Sequence, residues 1–187
     1  MLNKSDFRAV LAHEYGHFSN RDTAGGEVAL RVINDMSKYF YALYAAGQNV
    51  WWNLAFHFLK LYHFIFRRIS HGATRLQEIL ADRVAAQAYG VQAFRNGLTH
   101  VIRRDMEFNT FADREIEEAK RLRRPFNNLY EIKGGTSTEL ENEFNNVINR
   151  KTSEDDTHPS PADRFRYIEG FSSKNPAADN ADVKDLL

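Results

Sequence analysis

The pentapeptide His13-Glu14-Tyr15-Gly16-His17 constrains this chain more than any other stretch. Two histidines four residues apart share one face of a helix, with Cβ atoms about 5–6 Å apart, so both rings can reach a single ion. Glu14 follows the first histidine and can hold a water on the open side of that ion, where it would act as general base. The segment must therefore be helical for its chemistry to work. Its neighbours agree: Phe7, Val10, Leu11 and Phe18 recur at helical spacing, and Ser5 is a candidate N-cap. Gly16 costs a helix interior about 1 kcal/mol relative to alanine, so the position implies close approach of another backbone or of a substrate.

A catalytic zinc usually carries three protein ligands, so one is still missing. The chain has no cysteine, which removes thiolate ligands, disulfides and a cysteine nucleophile together. The third ligand must be His, Glu or Asp on another element, and Glu78 is the best candidate. It lies in a predicted helix with the apolar stripe Leu76, Ile79, Leu80 and Val84, a capping-box pattern at Thr74 and Gln77, and a stop at Gly90. Glu78 and Asp82 are like charges four residues apart, which disfavours a helix unless a cation lies between them. Glu78 as ligand, with Asp82 accepting the free N–H of a ligating histidine, resolves that conflict.

The sequence HEYGHFSNRD, then EILAD, then His158-Pro159 followed by Arg164 resembles the zinc metallopeptidases of the HtpX and CAAX prenyl endopeptidase type over roughly residues 2–170. The resemblance implies one zinc ion held by His13, His17 and Glu78, with Glu14 as catalytic base. Asp22 would close the first motif and Asp82 would be the carboxylate behind a ligand. It places His158 and Arg164 beside the scissile carbonyl, as polarising or positioning groups. The substrate is then a protein or peptide, hydrolysed within the chain. In that family strands and transmembrane segments precede the metal helix. Their lack of a counterpart here leads to the expectation of a catalytic portion of a membrane-associated protease, with its active site on the cytoplasmic side.

The fold expected is mainly α, a helical zincin-type domain over residues 1–171 with at most a short strand near 128–133, then a flexible tail over 172–187. A chain of 187 residues suits one core. Twenty-five basic residues balance 25 acidic ones, which leaves no electrostatic footprint for nucleic acid. The mean hydropathy of −0.55 is that of a soluble chain. Residues 39–59 nevertheless lack formal charge, and Tyr39, Tyr41, Tyr44, Trp51, Trp52 and Phe58 make them aromatic-rich. Polar interruptions at Gln48, Asn49 and Asn53 argue against a bilayer span. A helical hairpin over 39–67 is expected, meeting either a membrane surface or the core. His57, His63, His71 and His100 read as polar interruptions of their own segments. Further on, Ser160-Pro161 is a helix-start signal, which puts His158 in the loop before a helix carrying Arg164. Two alternatives remain open: a compact soluble metallopeptidase unrelated to membranes, and a zinc-stabilised helical scaffold that binds a partner without cleaving it.

Overall fold

Asn3, rather than Ser5, begins the metal helix: its side chain accepts the Asp6 backbone N–H at 2.7 Å, so the helix starts one residue before the expected cap. The computed structural model describes residues 2–20, 23–128, 138–172, 179 and 181–183. Among them are six helices and no strand: α1 (Lys4–Ser19), α2 (Thr23–Ala45), α3 (Leu54–Tyr89), α4 (Val91–Leu122), α5 (Thr138–Asn149) and α6 (Pro161–Ile168). The fold is mainly α, as expected. Most of the expected strand near 128–133 lies outside the described residues, as does Asp22.

The hairpin arm and the Glu78 helix form one element. Helix α3 runs unbroken for 36 residues, capped at its start by Asn53 and ended at Gly90, whose φ of 96° is open to glycine. Thr74 therefore does not cap; inside the helix its hydroxyl donates to the Ser70 carbonyl. A capping-box pattern is only a local option, and an apolar run that continues through it keeps the helix going.

Alanine lets the helices close on one another. The core joins Ala9 of α1, Ala85 and Ala86 of α3, Ala93 and Phe94 of α4, and Phe165 and Ile168 of α6. Helix α1 runs antiparallel to α3, with His13 opposite Asp82, Gly16 against Ala81 and His17 opposite Glu78. A Cβ on Gly16 would lie 2.9 Å from Ala81 Cα, and one on Gly97 would lie 2.8 Å from the Asp6 carbonyl oxygen. These two glycines set the spacing of α1 against α3 and α4.

Elsewhere the packing is thinner. In the α2–α3 hairpin Met36 and Phe56 are buried, and Phe56 meets the rings of Phe40 and Tyr44 edge-on. Tyr41, Trp51, Leu54 and Phe58 are more than two-thirds exposed. No helix among the described residues is long and apolar enough to cross a membrane. At the other end of the chain, the Ala181 carbonyl accepts Lys4 N–H, and Asp179 pairs with Arg8 at 3.2 Å. The described part of the tail thus lies along the start of α1.

Candidate metal centre

One turn of α1 and one turn of α3 bring three ligand-type side chains together. His13 Nε2 and His17 Nε2 are 3.1 Å apart. His13 Nε2 lies 3.6 Å from Glu78 Oε2, and His17 Nε2 lies 3.5 Å from Glu78 Oε1. Bonds of about 2.0–2.1 Å from a tetrahedral zinc imply ligand separations of roughly 3.3–3.5 Å. The triad is thus already at metal-binding distance, and its donors, two imidazoles and a carboxylate, fit zinc by type as well as spacing. Among the described residues no other group of three such side chains converges in this way.

Behind the triad sits a buried ionic layer. His13 Nδ1 lies 2.9 Å from Asp82 Oδ1, which fixes the ring so that Nε2 faces the ion site. Asp82 is fully buried. Burial works to raise its pKa, but the hydrogen bonds from Arg164 and His13 outweigh it and hold the carboxyl below its ordinary value. Arg164 reaches Asp82 through two nitrogens, Nε at 2.8 Å and Nη2 at 2.6 Å, and Nη2 also lies 3.3 Å from Glu78 Oε2. Burial opposes its charge too, yet Asp82, and after it Glu78 and Glu14, hold the guanidinium pKa above its ordinary value. Phe94 closes this layer from below, with the guanidinium carbon 5.7 Å from its ring centre.

Glu14 is exposed on α1 between the two histidines, close enough for its charge to act on Arg164. His158 comes from the loop before α6, and its Nδ1 lies 3.1 Å from Glu78 Oε1 with the ring largely open to solvent. Ser160, buried, caps α6 by accepting Asp163 N–H, with Pro161 in the first turn. The structure therefore gathers His13, His17, Glu78, Asp82, His158 and Arg164 in one place, with Glu14 at the rim.

A set of residues that the motifs do not contain holds His158 there. Arg67 pairs with Asp155 at 2.5 Å, Arg68 pairs with Glu154, and Arg75 donates to the Ser153 carbonyl at 3.1 Å. These ties fasten the 153–156 loop along α3. Asp163 then accepts from the Thr152 backbone and hydroxyl, which secures the far side of the loop. The acidic run Glu154-Asp155-Asp156 offered a signal of sign alone: Glu154 and Asp155 pair with Arg68 and Arg67 on α3, whereas Asp156 pairs with Arg150.

The chain matches the profile of Peptidase family M48 over residues 1–172. It therefore belongs to that family of metallopeptidases. No curated protein and no solved structure matches it.

Proposed function

We propose that this chain is the catalytic part of a zinc-dependent endopeptidase, with zinc held by His13, His17 and Glu78. The observation that carries the reading is the pair of opposed helix turns, whose three donor groups lie 3.1–3.6 Å apart. When bound there, zinc lowers the pKa of a water and polarises a carbonyl. Glu14 accepts the proton of the attacking water and returns it to the departing amine. His158 has its Nδ1 3.1 Å from Glu78 Oε1; as an imidazolium, with both ring nitrogens protonated, it would donate from Nε2 to the carbonyl oxygen as negative charge develops there. Arg164 works through others: its buried guanidinium keeps Asp82 against His13 and Glu78 in the triad.

A scaffold that binds zinc without cleaving is the reading this proposal displaces. A structural zinc closes its fourth position and needs no base, whereas here an exposed carboxylate stands beside the triad. The exposed aromatic residues of the α2–α3 hairpin support a membrane surface as the second partner, beside a protein or peptide substrate.

The test is Glu14→Gln in zinc-loaded protein, assayed on an unstructured protein substrate, with bound metal measured by elemental analysis. We expect hydrolysis to be lost with one zinc per chain retained. Unchanged turnover in this variant would remove the mechanism, and a wild-type chain that binds zinc yet cleaves nothing would restore the scaffold.

A further inference from the structure

Gly16, Gly72 and Gly97 lie inside helices, and of these Gly16 and Gly97 have a packing reason to lack a side chain. A Cβ on Gly16 or Gly97 would collide with a neighbouring backbone, whereas a Cβ on Gly72 would have no heavy atom within 4 Å. Gly72 nonetheless sits inside a 36-residue helix, where glycine is the poorest choice after proline. What it faces is a cavity of about 520 Å³.

Two chain neighbours of the metal centre stand in the wall of that cavity. Its walls include Leu76 and Ile79 on α3, Pro159 in the His158 loop and Tyr167 on α6. Ile79 and Pro159 are the chain neighbours of Glu78 and His158, which meet at 3.1 Å. The polar groups around it are already engaged elsewhere. Arg75 donates to Ser153, Glu154 pairs with Arg68, and Asp163 holds Thr152 and Ser160. The apolar part of the lining is open to a ligand: Leu76 is 56 % exposed and Tyr167, through its ring, 42 % exposed. The cavity is an open groove, and its volume lies within the range of about 300–1,000 Å³ common for ligand clefts.

We propose that this cavity receives a large apolar or aromatic side chain of the polypeptide substrate, and that Gly72 is a specificity-determining residue which keeps it open. The proposal rests on the peptidase reading for its substrate. It gives the cleft a preference in residue type that the zinc triad alone lacks.

The experiment uses two alanine-based hexapeptides, one carrying a single central phenylalanine and one without it. Binding is followed by methyl NMR at Leu76 and Ile79 in zinc-loaded Glu14→Gln protein, and turnover is measured in protein with Glu14 intact. The phenylalanine peptide should shift these methyl signals saturably and bind at least about tenfold tighter than its alanine counterpart, as burial of one aromatic ring supplies. Gly72→Leu should abolish those shifts and reduce the phenylalanine-over-alanine ratio of kcat/KM about tenfold or more. Gly72→Ala should raise the melting temperature and keep most of the preference, which separates an occluded cavity from a damaged helix. Absence of saturable shifts, or shifts and preference unchanged in Gly72→Leu, would overturn the proposal. A chain that shows the shifts but hydrolyses neither peptide would overturn the peptidase reading and leave the cavity assignment standing.

Discussion

His13 Nδ1 lies 2.9 Å from Asp82 Oδ1, and the same carboxyl takes two nitrogens of Arg164 at 2.6 and 2.8 Å. A ligating histidine is thus oriented by a carboxylate that is itself locked by a buried cation. Replacing Asp82 with asparagine removes the charge that fixes His13 and satisfies Arg164. We expect Asp82→Asn to weaken zinc binding by about 10–100-fold, measured by competition with a coloured chelator. Affinity equal to wild type would show that Asp82 does not support the metal.

Arg164 gives a second prediction from the same layer. Its side chain is 11 % exposed and is the cation on both Asp82 and Glu78. Removing one partner of a buried pair leaves an uncompensated charge and costs about 3–5 kcal/mol. Arg164→Gln should therefore lower the stability of the metal-free chain by that order in urea denaturation. Loss of activity with full stability would instead place Arg164 in contact with the substrate.

The spacing of α1 against α3 can be tested at Gly16. Alanine there gains about 1 kcal/mol of helix propensity, so an open position would be stabilised. Its Cβ would instead lie 2.9 Å from Ala81 Cα and 3.2 Å from Ala81 Cβ. Overpacking of this kind costs about 1–3 kcal/mol and would push the histidines away from Glu78. We expect Gly16→Ala to lower both the melting temperature and zinc affinity; a rise in melting temperature would show that the contact yields.

A pH-dependent prediction falls outside the site, at the end of α4. Glu115 accepts from Arg124 at 2.6 and 3.0 Å and from Asn127 N–H at 2.7 Å, ties that fold the chain back after the left-handed turn at Arg123. Its pKa is lowered to about 2, first by the Arg124 hydrogen bond and then by Asn127. A depressed carboxyl stabilises the fold above its unfolded pKa of about 4.3, and that contribution is lost as pH falls through the folded value. Glu115→Gln should therefore lower the melting temperature near pH 7, with the gap to wild type closing between about pH 4.3 and pH 2. A gap constant across that window would show that Glu115 acts by shape alone.

The motifs made the site legible because its geometry is local. HEYGH on one helix and Glu78 with Asp82 on another define their own faces at a spacing of four, and only the docking of two helices was left to packing. Gly16 announced that docking, since a helical glycine beside a ligand calls for a close neighbour. Helix boundaries were less legible. Thr74 carries a cap pattern that the continuous helix overrides, and Ser5 competes with Asn3 two residues earlier. The Arg67, Arg68 and Arg75 clamp on the 153–156 loop was hidden for another reason: its partners are some 80 residues apart, and charge pairing at that distance has no periodicity to read.

The α2–α3 hairpin is the last part that its surroundings leave unexplained. Trp51 and Trp52 lie at its turn, 81 % and 65 % exposed, with Leu54 and Phe58 on the adjoining turns of α3. Apolar exposure on this scale marks an interaction surface, and indole rings favour the boundary between lipid and water. The attraction should be mainly apolar, because Lys38 is paired with Asp35, and Arg67 and Arg68 with Asp155 and Glu154, which leaves Lys60 beside the Phe56 ring as the cation nearest the turn. We therefore expect the chain to float with zwitterionic phosphatidylcholine vesicles, to do so with little dependence on salt, and to be released by alkaline carbonate. Trp51→Ala with Trp52→Ala should reduce the bound fraction about tenfold or more, as loss of two large buried side chains implies. Retention in the pellet after carbonate would contradict a surface-bound hairpin. Failure to bind any vesicle would assign these aromatic residues to a protein partner, since their exposure leaves no core within the described residues to receive them.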